Sequence, residues 1–178
     1  MTDTQSRLRL YLVRHGEAKP KDEDPARGLK DAGHADVTRM AAWAATSGVQ
    51  VDEIRHSGKL RAQQTAEIFA EHLGTETMAA PGLAPNDDVA AIAGVIEHER
   101  GVIMLVGHLP FLERLAALLI TGNSENGVVT LDAGALLELT ASNGWRVTCL
   151  TQPRLLPGHD VGAGCTDMLN EINQPTLP

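Results

Sequence analysis

The side chains in this chain whose types suit chemistry fall in three short runs: Arg14-His15-Gly16, Ser57-Gly58-Lys59-Leu60-Arg61, and Gly107-His108. An imidazole can act as base, nucleophile or metal ligand, and a guanidinium presents a planar fork of donors that matches phosphate oxygens. Glycine lets another group approach the backbone closely. Each run follows an apolar segment that reads as a strand, and in open α/β sheets ligands bind beyond the C-terminal ends of strands. If those strands are parallel neighbours, His15, His108, Arg14 and Arg61 converge on one edge of the sheet. Helix N-termini facing that edge add backbone N–H donors. The set suits a tetrahedral dianion. Two histidines also raise a metal, but the spacing supplies no third ligand of the usual kind, and two arginines would repel a dication. The expectation is a phosphate pocket with neither metal nor cofactor.

The elements that must position these groups alternate strand and helix. Leu8, Leu10 and Leu12 alternate with Arg9, Tyr11 and Val13, the period of a strand that buries one face. The spacing predicts a helix over Asp31–Ser47, with Val37, Met40, Ala41 and Ala44 on one stripe, Asp31 as cap and Gly48 as terminator. A short strand through Val49, Val51 and Ile54 follows, then a helix ending at Leu73 and Gly74 with Ala62, Ala66 and Phe69 inward. Glu76–Pro85 reads as a short strand or loop, and Asp87–His98 as a third helix capped by Asn86 or Asp87. Val102–Val106 is unbroken and apolar, as a buried parallel strand should be. Pro110 opens a fourth helix that turns Leu112, Leu115, Ala116 and Leu119 inward. Ala135–Thr140 and Arg146–Thr151 flank Asn143-Gly144, a hairpin signal. The expected architecture is a three-layer α/β/α sandwich with a mixed, mostly parallel sheet. Residues 1–152 are expected to form one catalytic α/β domain. Residues 153–178, rich in Pro and Gly, are expected to form an irregular tail packed on it or extending from it.

Composition removes several function classes. With only 3% aromatic residues the core must be built from Leu, Val, Ile and Ala. A formal charge of −8 argues against a general nucleic-acid binder, which needs a broad basic face, but leaves room for a small positive pocket. Cys149 and Cys165 match neither a zinc pattern nor a dithiol motif and suggest a reducing compartment. Met1–Arg7 is polar, and no apolar stretch approaches membrane-spanning length. A soluble, cytoplasmic protein with no membrane partner is expected.

Arg14-His15-Gly16, the run Ser57-Gly58-Lys59-Leu60-Arg61-Ala62-Gln63-Gln64-Thr65-Ala66, and Val106-Gly107-His108 resemble the three signature segments of the histidine phosphatase superfamily, which includes the phosphoglycerate mutases. The match runs in order from about Leu8 to Thr151. The short chain, Leu83-Ala84-Pro85-Asn86-Asp87-Asp88 and His108-Leu109-Pro110 resemble the small phosphohistidine phosphatases in particular. The resemblance implies a phosphoglycerate mutase-like fold, no metal, and His15 as a nucleophile that becomes phosphorylated. It implies that Arg14, Arg61 and His108 hold the phosphoryl oxygens; Gly16 joins the binding set, and Ser57 either reaches the phosphate or only caps the second helix. Gly58 departs from the proline usual after that serine, which changes loop stiffness. Pro85 stands where larger relatives commonly carry a glutamate that protonates the leaving group, so Asp87 and Asp88 are the candidates for an acid, or are simply helix-capping residues.

Only 26 residues separate Gly74 from Gly101, too few for the long lid with which larger relatives enclose a small metabolite. The expected substrate is therefore a phosphohistidine-containing protein, such as a phosphotransfer domain in signal transduction. The alternatives are a phosphomonoesterase or mutase for a small metabolite, and a phospho-ligand binding module without catalysis. Among the remaining candidates, Glu17 orients His15 or is a solvated loop carboxylate. Lys21, Arg27 and Lys30 meet a phosphorylated partner or belong to a solvated loop. His34, His56, His72, His98 and His159 read as structural or surface residues, Cys149 as a small core residue, and Trp43 and Trp145 as packing residues.

Overall fold

In the computed structural model, which describes residues 8–158, the alternating segment becomes β1 (Arg9–Arg14). Its neighbours are β4 (Val102–Gly107), parallel to it, and β5 (Leu136–Ala141), antiparallel. β2 (Glu53–His56) pairs parallel with β4, β3 (Thr77–Ala79) pairs parallel with β2, and β6 (Trp145–Thr151) closes a hairpin with β5. The sheet order is β3-β2-β4-β1-β5-β6, mixed and mostly parallel as expected.

Because β1 is central, both of its faces are buried, not one: Leu10 and Leu12 point to one layer, Tyr11 and Val13 to the other. The polar-looking Tyr11 is tolerated inside because its hydroxyl reaches Glu138 at 3.3 Å, beside the Arg9–Glu138 ion pair. Helices α1 (Asp31–Thr46) and α2 (Leu60–Leu73) cover the face carrying Tyr11, Val13, Ile54, Met104 and Val106. Helices α3 (Val89–Ile96) and α4 (Phe111–Thr121) cover the face carrying Leu10, Leu12, Ile103, Leu105 and Leu137. This is the three-layer α/β/α sandwich.

Several boundaries move for local reasons. Val49 and Val51 pack against the core outside any strand, and β2 begins only at Glu53. The first helix is entered through Lys30, with Asp31 already in its first turn. The third helix is shorter than its pattern: Asp88, rather than Asn86 or Asp87, caps it by accepting from Ala90 N at 2.9 Å, while Asp87 accepts from Ala84 N at 2.7 Å in the preceding turn. Cys149 is half-buried on the edge strand β6, so it is not a core residue. Trp43 and Trp145 pack as partly buried residues against the two core clusters. After β6, a short 3₁₀ turn at Pro153–Leu155 leads to Leu156, which is buried with α1 and α2. The rest of the expected tail, with His159 and Cys165, lies outside the described residues. No helix among the described residues is long and apolar enough to cross a membrane.

Two glycines test this packing in opposite directions. A methyl group on Gly33 of α1 would sit 2.2 Å from the carbonyl oxygen of Glu17, so Gly33→Ala should destabilise by ~2 kcal/mol through enforced backbone movement. A methyl group on Gly94 of α3 meets nothing within 4 Å, so Gly94→Ala should stabilise by ~0.5–1 kcal/mol through helix propensity. Urea unfolding of the two variants checks both; a neutral Gly33→Ala would show that the contact is slack.

Candidate active site

The register of β1 against β4 pairs Arg14 with Gly107, and the ladder runs one residue further: His15 N–H donates to Gly107 O at 3.1 Å. His15 and His108 therefore leave the sheet side by side, with ring centroids 4.8 Å apart and planes tilted by 56°. On the other side of β4, β2 pairs His56 with Val106 and delivers the second run to the same place. Ser57 Oγ lies 2.6 Å from His108 Nε2, and Arg61 Nε–H donates to His15 Nε2 at 3.2 Å. The three runs expected to converge do so. Arg14 is pinned from the antiparallel side, where its Nη1 donates to Leu131 O at 2.7 Å just ahead of β5.

The hydrogen bonds of His15 assign its tautomer. Its Nδ1 lies 2.7 Å from Gly16 O, and a carbonyl only accepts, so Nδ1 carries the proton. Nε2 then holds the lone pair, consistent with its accepting from Arg61. Gly16 is itself clamped. Its N–H donates to Thr65 Oγ1 at 3.1 Å, and Thr65, fully buried on α2, donates to Arg61 O at 2.7 Å. On the α1 side, a methyl group on Gly16 would meet Val37 Cγ2 at 2.7 Å and Gly33 O at 2.8 Å. Thr65 and Gly33 were not singled out from sequence, although Thr65 lies inside the second signature run.

Burial and surrounding cations make both imidazoles weak bases. Burial, with Arg61, Arg14 and Arg27 nearby, pushes His15 down to about 4 against the upward pull of its bond to Gly16. Burial, then His15, Arg61, Lys59 and Arg27, pushes His108 down to about 3. Both are neutral near pH 7, the state in which His15 Nε2 is nucleophilic. Two of the buried side-chain nitrogens without a partner, Arg14 Nε and His108 Nδ1, belong to this cluster, and an oxyanion is the kind of ligand that satisfies such groups. Among the described residues no group of three or more His, Cys, Asp or Glu could hold a metal ion.

The other candidates separate cleanly. Glu17 is ion-paired with Lys30 at 2.5 Å on the exposed side of the loop and not with His15. Asp87 and Asp88 hold backbone N–H groups. His56 is buried and its Nδ1 accepts from Gly58 N at 3.2 Å. His34, His72 and His98 bond within their own helical turns, to Thr38, Ile68 O and Gly94 O. Gly58 has φ +77°, a conformation closed to proline, so the departure from the expected proline alters the path of this loop as well as its stiffness.

A family model described as the histidine phosphatase superfamily (branch 1) matches residues 10–85, a span that contains Arg14, His15, Gly16, Ser57 and Arg61 and stops short of His108. An uncharacterized protein of Picosynechococcus is 31% identical over 166 residues, covering 84% of this chain and 100% of that protein. The phosphohistidine phosphatase SixA of Escherichia coli K12 is 28% identical over 124 residues, 66% of this chain and 77% of that protein. Among solved structures, the protein histidine phosphatase SixA complexed with tungstate superposes with a TM-score of 0.73 at 23% identity, covering 82% of this chain and 97% of that one.

Two outcomes follow from the geometry. The folded-state pKa of His15, about 4, lies below its ordinary value of 6.5, so on acidification the unfolded chain takes up a proton that the folded chain refuses. The contribution of His15 to stability is therefore intact above pH ~6.5 and declines as pH falls towards 4. An NMR titration of its ring should show a midpoint well below 6, moving upward when orthophosphate fills the pocket; an ordinary midpoint would refute the buried, cation-surrounded assignment. Gly58→Pro, although it restores the expected residue, should be more damaging than Gly58→Ala, because proline cannot adopt the positive φ and lacks the N–H that His56 accepts. Thermal unfolding of the pair decides it.

Proposed function

The chain belongs to the histidine phosphatase superfamily, and from that membership and the pocket we propose that this phosphatase removes the phosphoryl group from phosphohistidine in a protein. His15 Nε2 attacks phosphorus as the bond from phosphorus to the substrate's imidazole nitrogen breaks. That nitrogen takes up a proton as it leaves. Water then attacks the phosphohistidine on His15, releasing phosphate and restoring the imidazole. Arg14, Arg61 and His108 hold the equatorial oxygens and stabilise the charge on them during both displacements.

The observation that supports this substrate class is what stands at the position of the acid. Pro85 cannot donate a proton, and the carboxylates that follow are hydrogen-bonded to backbone N–H groups, Asp87 in the turn before α3 and Asp88 at its start. An alkoxide is a poor leaving group that needs a positioned acid, whereas an imidazole nitrogen is readily protonated near neutral pH. A site without a dedicated acid is better matched to P–N than to P–O cleavage. The short connection from β3 to α3 supports the same reading, since a pocket without a long lid is open to a phosphoryl group presented on a protein surface.

Turnover of a phosphohistidine protein, measured beside a panel of phosphomonoesters, tests the proposal. The phosphohistidine protein should give the higher kcat/KM. A higher value for a metabolite ester would replace the reading with a phosphomonoesterase or mutase, and phosphate release from no substrate would leave a phospho-ligand binding module. His15→Ala should abolish release, and the parent should trap acid-labile phosphate on His15. Arg61→Lys should cost roughly 10²- to 10³-fold in kcat, the scale of a lost oxyanion donor, because a point charge cannot reproduce the fork.

A further inference from the structure

Several basic side chains away from the pocket hold carboxylates: Arg9 pairs with Glu138, Arg55 with Glu53 and Glu99, Arg114 with Glu125, and Arg154 with Asp132. The cations at the pocket stand unpaired, as Arg100 and Arg146 do elsewhere among the described residues. Among the described residues, Arg14, Arg27, Lys59 and Arg61 have no carboxylate within ion-pair distance, in a chain whose formal charge is −8. Arg14 and Arg61 have work on a phosphoryl dianion. Arg27 and Lys59 are two further cations that the proposed reaction does not use.

Arg27 is held in place by construction. The Asp24 carboxylate accepts from Ala26 N at 2.9 Å and Gly28 N at 2.8 Å, and Asp24 O accepts from Arg27 N at 2.9 Å. The loop is fastened to α2 beside Arg61, since Leu29 N–H donates to Gln64 Oε1 at 2.8 Å and a methyl group on Gly28 would touch Gln64 and Leu60. This scaffold keeps Arg27 at φ +56°, a left-handed backbone uncommon for a residue other than glycine, and its Nε donates to Lys19 O at 3.2 Å. The guanidinium is close enough to depress the basicity of His15, Arg61 and His108 together. Lys59, exposed at the entrance to α2 and two residues before Arg61, adds its charge at His108.

We propose that Arg27 and Lys59 form a cationic rim that binds carboxylates flanking the phosphorylated histidine on the surface of the partner protein. The inference rests on the phosphohistidine reading above and adds which partner surfaces are accepted. A transferring phosphoryl group is matched by two guanidiniums and two neutral imidazoles; the two remaining cations are satisfied by anions the substrate carries beside it. Rim charges of this kind govern encounter and selection more than chemistry, so they act on KM and fade with salt.

The test is the ratio of kcat/KM for two phosphohistidine peptides, one with Asp and Glu around the histidine and one with Asn and Gln at the same places. The wild-type protein at low salt should prefer the acidic peptide by about tenfold, from two contacts of roughly threefold each. The ratio should fall towards one in the double variant Arg27→Gly, Lys59→Gln, and in the parent as salt is raised. Glycine is the chosen replacement because it accepts the positive φ and keeps the loop in shape. A wild-type ratio near one, or a tenfold ratio that survives the double variant, overturns the rim. Failure of the phosphohistidine reading shows separately, as peptides hydrolysed no faster than phosphoserine peptides of the same sequence. The rim is then read from the acidic and amide phosphoserine pair.

Discussion

The hydrogen bond from His15 Nδ1 to the carbonyl of Gly16 is the interaction on which this pocket depends. It places the only ring proton on the far side of the imidazole and so leaves the Nε2 lone pair turned towards Arg61. Gly16 is held in place for that bond from two sides. Its N–H is held by Thr65 on one side, and on the other its Cα lies so close to α1 that a methyl group would meet Val37 and Gly33 at under 3 Å. Two helices on one face of the sheet thus grip a single peptide, and the grip is transmitted to the tautomer of the next side chain. A rigid backbone does here what a carboxylate does in other activated histidines, without adding negative charge where a dianion must enter.

Keeping carboxylates out has a cost and a consequence. Two guanidiniums and two buried imidazoles crowd one end of the sheet, where burial first, and neighbouring cations after it, lower the basicity of both rings and of Arg61. The fold tolerates this because the imidazoles respond by staying neutral, which removes the repulsion that two imidazolium ions would add. A bound phosphoryl dianion reverses the sign of the local field, strengthening its hold through charge-assisted bonds in a partly desolvated place. The same arrangement lets a chain of formal charge −8 present a small positive pocket to an anion.

How much of this was legible in the sequence depends on the range of the interaction concerned. Arg14, His15 and His108 could be placed because they stand at the ends of apolar runs, and Arg61 because it opens the helix after a strand, and parallel strand ends point the same way. The hairpin at Asn143-Gly144 could be read for the same local reason, Gly144 taking φ +99°. What escaped is set by contacts distant in sequence. Tyr11 and Val13 belong to a buried second face that only the central position of β1 explains. The anchoring of Arg14 on Leu131, 117 residues away, leaves no periodicity to find. Gly33 reads as a helical glycine with no purpose until Glu17 lies against it. Asp87 and Asp88 share one composition and differ only in which backbone N–H each meets, so the choice of cap could not be made from residue type.

The bond between Arg61 Nε–H and His15 Nε2 gives the resting pocket one more property. In the proposed reaction it covers the lone pair that attacks phosphorus, so the nucleophile is engaged whenever Arg61 has no better acceptor. A neutral imidazole is a weaker acceptor for a guanidinium than an anionic phosphoryl oxygen, since bonds between ionised groups are roughly twice as strong as neutral ones. In that reaction an arriving phosphoryl group competes for Arg61 and, in taking it, frees Nε2 for attack. A neutral carbonyl or hydroxyl offers no such exchange and leaves the pair closed. In the proposed reaction, selectivity for a dianion and activation of the nucleophile are then one event, carried by Arg61 in the first turn of α2, whose backbone carbonyl accepts from Thr65 Oγ1.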